Sequence, residues 1–211
     1  MRVGVLGSGL MGSKLGTLFA RAGHQVVFSY ARNKAKLTRL ARDAGKSAKA
    51  GTPAEAAKGA DAMLLAVHWS RIDDVLRQAG EHLSSKVIVS CCLPMNDDDT
   101  ELIVAHTSSG AEALAKKIPN AIVVSAFSTV PSEVLFEIGT KRPKPSLVYC
   151  GDDAPSKAIA AELIRDIGFD PVDAGPLRMA RFTEPFSLLV AQLAYEVEKG
   201  PELAYRFQRY T

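Results

Sequence analysis

Short apolar runs alternate along this chain with longer stretches of helical period. Arg2–Leu6 and Gln25–Phe28 predict two strands, Ala62–Val67, Lys86–Ser90, Ala121–Ala126 and Ser146–Cys150 predict four more, and Pro171–Asp173 a short last one. Between the first two, Leu10, Met11, Leu15, Leu18 and Phe19 recur at three- and four-residue steps, and Gly23 supplies a stop before His24. Further helices are predicted at Lys34–Asp43, Ser70–Ala79, Gly110–Lys117 and Ala154–Ile167, the last capped by Asp152 or Asp153. A final helical stretch runs from about Arg178 towards Lys199, with Phe182, Phe186, Leu189, Val190, Leu193 and Ala194 as a broad apolar stripe. This alternation predicts an α/β chain: a doubly wound, mainly parallel sheet with a small C-terminal helical extension. Pro143-Lys144-Pro145 is the expected surface hinge, since two prolines bar helix there.

The junction of the first strand and first helix carries the first chemistry. Gly7-Ser8-Gly9-Leu10-Met11-Gly12 follows the strand at once. Gly7 can take the tight turn, Gly9 has no side chain to block a pyrophosphate, and Gly12 lets the helix pack close to the sheet. Free N–H groups and the positive end of the helix dipole then meet the phosphates. A strand before, a helix after and a second strand about 20 residues on supply the context that makes the motif a dinucleotide site.

The end of the second strand selects the cofactor. An NAD site places a carboxylate there for the ribose 2′-hydroxyl, and that carboxylate would repel a 2′-phosphate. Ser29-Tyr30-Ala31-Arg32-Asn33-Lys34 contains no acid. Ser29, Arg32 and Lys34 can donate to a phosphate and neutralise it, so NADP(H) is the expected cofactor. Tyr30-x-x-x-Lys34 also matches the Tyr/Lys pair of short-chain dehydrogenases, but it falls beside the adenosine ribose, far from the nicotinamide.

Composition narrows the class further. A chain of 211 residues with 47% hydrophobic content can bury a sizeable core, and its net charge of +3 implies neither nucleic acid nor an anionic membrane surface. No apolar run approaches the roughly 18 residues needed to cross a bilayer, and a strand beginning at residue 2 leaves no room for a signal peptide, so a cytoplasmic location is expected. Cys91, Cys92 and Cys150 have neither C-x-x-C spacing nor a histidine cluster, so no disulfide framework and no metal site is predicted. Cys91 and Cys92 stand at a ligand-facing strand end, but as small apolar residues they read as packed thiols.

Ligands in such folds lie along the carboxyl ends of the strands. Beyond the glycine turn, those ends are Val67-His68-Trp69, Cys91 to Met95, which includes Pro94, and Phe127-Ser128-Thr129-Val130-Pro131. His68 is the one histidine among them and reads as a packing or orienting group before a proton donor; Trp69 reads as a pocket wall. A carbonyl reductase must protonate a developing alkoxide and needs a placed acid or metal. These loops show no such acid, and no catalytic side chain is assigned. Hydride exchange between two rings asks only that the protein stack and enclose them.

The chain resembles the coenzyme F420-dependent NADP oxidoreductases and, in its nucleotide fold, the cytosolic domain of the six-transmembrane metalloreductases. The resemblance rests on the opening strand and glycine turn, Ala22-Gly23-His24, Trp69, Val123 through Pro131, Cys150-Gly151-Asp152-Asp153 and Asp173-Ala174-Gly175-Pro176-Leu177. It implies a Rossmann fold whose residues 1–150 bind NADP and whose residues 151–211 form a small α/β extension completing the second-substrate cleft. Carried over, Gly7 to Gly12 hold the pyrophosphate, Ser29, Tyr30, Arg32 and Lys34 the 2′-phosphate, and Trp69, Met95, Ser128, Val130 and Ser132 the nicotinamide and second ring. Ser8 stands where that family often has a threonine, Tyr30 where it has a basic residue, and Ser128 where its deazaflavin enzymes have a histidine. The implied activity is hydride transfer between NADPH and coenzyme F420 or a flavin (FMN or FAD). A flavin-assisted ferric or quinone reductase and a non-catalytic NADP(H)-sensing module are the alternatives. The terminal apolar stripe must fold back or meet a second subunit, and a homodimer is expected.

Overall fold

Strand β1 (Arg2–Leu6) lies in the interior of the sheet, and its side chains divide between two cores. Val3 and Val5 enter one hydrophobic cluster and Leu6 the other, as period-two alternation requires of a strand covered on both faces. The computed structural model describes residues 1–138, 143–197 and 200–210. Its single 8-stranded sheet has the order β3-β2-β1-β4-β5-β6-β7-β8. The other strands are β2 (Gln25–Ser29), β3 (Ala48–Ala50), β4 (Ala62–Leu65), β5 (Val87–Ser90), β6 (Ile122–Ala126), β7 (Ser146–Gly151) and β8 (Asp170–Asp173).

The helices are α1 (Leu10–Arg21), α2 (Lys34–Ala44), α3 (Pro53–Ala57), α4 (Ile72–Ala79), α5 (Gly110–Lys117), α6 (Ala154–Asp166) and α7 (Ala180–Gln192). Leu15 and Phe19 of α1, Leu37 and Ala41 of α2, and Leu163 and Ile164 of α6 pack on one face of the sheet. Ala56 of α3, Ile72 and Val75 of α4, and Leu114 of α5 pack on the other, which makes the fold doubly wound. The sheet is parallel from β3 to β6; β7 then runs antiparallel to β6 and parallel to β8.

Several boundaries differ from the sequence expectations. The strand expected to reach Val67 ends at Leu65, and the helix expected from Ser70 starts at Ile72, after a 3-10 turn at Trp69–Arg71. β3 and α3 were not anticipated: Ala48-Lys49-Ala50 is a short, largely exposed edge with no apolar alternation. The signal for α3 was present in Thr52-Pro53-Ala54-Glu55. Thr52 and Glu55 form a reciprocal capping box and Pro53 opens the helix. Asp153 is the cap of α6, accepting from Ser156 N at 2.8 Å. The terminal stretch is a 3-10 turn at Leu177–Met179, then α7, then one π turn over Leu193–Val197; the expected end at Lys199 lies outside the described residues. Pro145 is no free hinge, because its carbonyl accepts from Asp170 N at 2.9 Å and so extends the β7–β8 ladder. No helix among the described residues is long and apolar enough to cross a membrane.

Candidate functional site

Each glycine of the first turn has a different steric role. Gly7 has φ +110°, and a Cβ there would meet the Ala66 carbonyl oxygen at 2.2 Å. A Cβ on Gly12 would lie 1.8 Å from the Gly7 carbonyl oxygen, so α1 sits against the turn only because Gly12 has no side chain. A Cβ on Gly9 would meet nothing within 4 Å: the space above it is open. Gly9 is also the N-cap of α1, without a side-chain cap and with no acid in the first turn. The first-turn amides therefore face that space without a side-chain partner from the cap, the arrangement that binds a phosphate.

The end of β2 braces the turn from below. Gly7 N donates to the Ser29 carbonyl at 3.2 Å, Ser8 N to the Tyr30 carbonyl at 3.2 Å, and the buried Ser8 hydroxyl to the Ser29 carbonyl at 3.0 Å. Ser29 itself is wholly buried, and its hydroxyl donates to Val5 O at 2.7 Å. That bond takes the hydroxyl away from the ligand side, contrary to the expectation that it donates to a phosphate. Tyr30 has φ +56° and donates its phenol to Asp74 Oδ2 at 2.7 Å. Burial, then the Asp74 bond, pushes the phenol up to about 12, so it stays neutral and acts as a fixed strut between β2 and α4.

Above these elements lies a cleft of about 1260 Å³. It gathers Gly7, Ser8, Gly9, Tyr30, Arg32, Lys34, Val67 and His68 from the residues singled out in the sequence. Leu10 and Met11 sit on the adjoining first turn of α1, and Gly12 is buried behind it. Sequence reasoning missed Lys36, Thr52, Arg71, Asp74 and Asp99, which also line the cleft. Arg71 and Asp74 are three residues apart at the start of α4 and share a face; in the sequence they look like any solvated helix start.

Charge is distributed unevenly among partners in this cleft. Glu55 is held by the Thr52 backbone N–H, Asp99 by His68, and Asp74 by Tyr30, Arg77 and Gln78. Among the described residues, Arg32, Lys34, Lys36 and Arg71 have no carboxylate within 4.0 Å. Of the cleft's acids, Glu55, Asp74 and Asp99 are engaged and Asp97 is not, while the four bases have no paired carboxylate, so cations outnumber the unengaged acid. His68 is engaged on both ring nitrogens: Nδ1 accepts from Ser70 N at 3.2 Å, which leaves the proton on Nε2 to be donated to Asp99 Oδ1 at 3.1 Å. It joins the 3-10 turn to the Asp97–Asp99 loop.

The residues carried over to nicotinamide and second ring lie outside this cleft. Trp69 is half-buried against the core beside α4. Pro94 fills the space over Gly110, where a Cβ would come within 2.8 Å of it, and the buried Met95 bridges to Leu102. Ser128 accepts from Ser187 Oγ of α7 at 3.2 Å. Val130, Pro131 and Ser132 are buried, with Lys14 of α1 donating to the Ser132 carbonyl at 2.9 Å and to its hydroxyl at 3.3 Å. The Tyr205 hydroxyl accepts from Val148 N at 3.1 Å and pairs with Thr129 Oγ1 at 2.7 Å, so the terminal segment backs the same loop.

A pair of thiols, Cys91 half-buried and Cys92 buried, and one buried acid complete the picture. Cys91 and Cys92 each place Sγ 3.4 Å from the Leu65 carbonyl, and burial raises both thiols, Cys92 to about 11, so they are protonated. Glu184 is the single acid of α7 and is 2% exposed. Its carboxylate accepts from Gly110 N at 2.9 Å and Ala111 N at 3.0 Å, capping α5 from another helix. Glu184 lies off the apolar stripe, on the buried face with Thr183 and Ser187, so the stripe gave no signal for it.

Comparison with known proteins agrees with this architecture. Residues 2–94 match the model of the family described as NADP oxidoreductase, coenzyme F420-dependent. The chain is 29% identical over 190 residues to rat metalloreductase STEAP3, a match covering 89% of this chain and 36% of that protein. It is also 29% identical over 144 residues to F420-dependent NADP reductase of Methanocaldococcus jannaschii, covering 66% of this chain and 64% of that one. The matches thus span about a third of the first relative's length and just under two thirds of the second's. Among solved structures, a candidate F420-dependent NADP-reductase from Arthrobacter sp. FB24 superposes with a TM-score of 0.87 at 22% identity, covering 99% of this chain and 100% of that one. A reductive aminase of Aspergillus terreus in complex with NADPH superposes at 0.67 with 17% identity, covering 90% of this chain and 60% of that one. These structures share the fold. Residues 2–94 thus resemble the coenzyme F420-dependent NADP oxidoreductases, and the chain is similar to a metalloreductase and to an archaeal F420-dependent NADP reductase.

Proposed function

We propose that this chain is an NADP(H)-dependent oxidoreductase that transfers hydride between NADPH and a second redox ring, coenzyme F420 or a flavin. The observation that carries the proposal is the cleft itself: an open helix N-terminus over Gly9, flanked by cations with no paired carboxylate among the described residues. The first-turn amides of α1 hold the pyrophosphate, and Arg32 and Lys34 take the 2′-phosphate that an acid at the end of β2 would repel. Val67, His68, Trp69, Pro94 and Met95 flank the route to the nicotinamide, and Ser128, Val130, Pro131 and Ser132 the second ring. The bound dinucleotide supplies the hydride. No side chain transfers a proton, which suits exchange between two stacked rings. The name of the archaeal relative supports F420 as the second ring.

The test is oxidation of saturating NADPH with F420 and, separately, with FMN. Turnover with at least one supports the proposal; NADPH oxidised with neither overturns it. A second form of the activity is favoured by the match of 89% of the chain to a metalloreductase: reduction of ferric iron through an added flavin. Ferric reduction that vanishes when flavin is omitted would establish it, and flavin-independent rates would exclude it. NADPH binding with no turnover in any of these assays would leave the sensing module. Phe182 and Leu189 on α7 are 64% and 53% exposed, which supports a second copy of the chain as the partner there. A single-chain sedimentation mass at assay concentration would overturn that. A cytoplasmic location belongs to the same proposal, and fractionation placing the protein with membranes would contradict it.

A further inference from the structure

We infer that Arg71 is a specificity-determining residue that reads the 2′-phosphate from the β4 side of the cleft, opposite to Arg32 on the β2 side. The inference rests on the NADP reading above and adds to it a residue that neither the glycine turn nor the end of β2 contains.

Topology places the two arginines on different walls. β1 lies between β2 and β4, so the loop carrying Arg32 and the turn carrying Arg71 rise on either side of the glycine turn. Both residues line the same cleft. Between Ser29 and Asn33, Arg32 is the only cation, because Tyr30 is a neutral phenol bound to Asp74. The β2 wall therefore offers one guanidinium, and a second comes from the β4 wall.

Arg71 has an acid close by that it does not pair with. Asp74 is one turn along, yet its Oδ2 accepts from Tyr30 at 2.7 Å and from Gln78 at 2.9 Å, while its Oδ1 is taken by Arg77. Arg71 is left without a carboxylate within 4.0 Å among the described residues, exposed at the N-cap of α4. Asp74 lies within Coulombic range of Arg71 without pairing with it, and cations not paired to a carboxylate on one concave surface repel one another, a repulsion that a dianion between them removes. A phosphate monoester offers three oxygens, enough to accept a guanidinium fork from each wall. The Tyr30–Asp74 bond joins the walls and fixes their separation.

The experiment is calorimetric titration of the intact chain with 2′,5′-ADP and with 5′-AMP, for wild type, Arg71→Ala, Arg71→Lys and Arg32→Ala. Wild type is expected to prefer 2′,5′-ADP. Arg71→Ala should cut that preference by about tenfold or more, the value of a lost charge-assisted bond, with 5′-AMP affinity unchanged. Arg71→Lys should fall between the two, since it keeps the charge and loses the fork. If Arg32→Ala lowers the preference and Arg71→Ala does not, or if Arg71→Ala weakens both ligands equally, the inference is overturned while the NADP reading stands. If wild type shows no preference, the NADP reading itself fails. Retained 5′-AMP binding shows that each variant is folded, so a loss of preference cannot be ascribed to unfolding.

Discussion

Lys14 donates from Nζ to the Ser132 carbonyl at 2.9 Å, joining the helix that borders the glycine turn to the loop after β6. The two residues lie 118 positions apart in the chain, and the bond links the proposed pyrophosphate site to the proposed wall of the second ring.

Replacing Lys14 by methionine keeps the aliphatic stem and removes the donor. The Ser132 carbonyl then loses its partner, at a cost of about 1–3 kcal/mol in stability. We expect Lys14→Met to leave NADPH affinity nearly unchanged and to raise KM for the ring acceptor. Steady-state kinetics with varied acceptor checks this; a variant whose acceptor KM does not move shows that the tether plays no part in the second site.

Gly9 and Gly12 make opposite demands. Gly12→Ala puts a methyl 1.8 Å from a backbone oxygen, so α1 must shift, and overpacking of this kind costs roughly 1–3 kcal/mol. Gly9→Ala meets nothing within 4 Å and has an extended backbone that alanine adopts freely, so thermal stability should change by less than about 1 kcal/mol. Its methyl nevertheless occupies the space left for the pyrophosphate, and NADPH binding should be lost. Melting curves and NADPH titration on both variants separate the effects. Gly9→Ala that binds NADPH normally would remove the pyrophosphate from this turn.

Glu184 makes stability depend on pH. Burial raises its carboxyl from 4.5 to about 7, against the opposing pull of the Gly110 and Ala111 amides. The folded chain thus holds a proton that the unfolded chain has released, and stability falls as pH rises from about 4.5 to about 7. Linkage bounds this drop at roughly 3 kcal/mol. Glu112, lowered mainly by its bond to Arg181, acts in the opposite sense, losing its contribution as pH falls through values below 4.5. Urea unfolding across pH 5 to 7.5, a range set about the two values, should slope downward for wild type and flatten for Glu184→Gln. Equal slopes would show that Glu184 is not the titrating group.

The legible parts of this molecule are those where local pattern and tertiary need agree. The β1–turn–α1 unit could be read because Gly7 and Gly12 each meet a steric demand that no other residue meets, and α5 was predicted with its observed ends, Gly110 and Lys117. The reversal of β7 was not legible, since an apolar run buried on both faces reads the same in either direction. Ser29 was misjudged because sequence gives a hydroxyl at a strand end without saying that it turns inward to Val5. Arg71 and Asp74 escaped notice for a related reason. Their meaning lies in which charges are left unpaired once Tyr30, Arg77 and Gln78 have taken Asp74, and that depends on contacts between distant segments.

We propose that the cleft reads the phosphate of NADP(H) for hydride transfer between the nicotinamide and a second ring. The most direct test is kcat/KM for NADPH and for NADH, with F420 or FMN as acceptor, in wild type and Arg32→Ala. We predict that NADPH is preferred by the wild type, and that Arg32→Ala lowers the NADPH value by about 1–3 kcal/mol in transition-state stabilisation while leaving NADH unaltered. Equal use of the two cofactors by the wild type, or an equal loss for both in the variant, would contradict it.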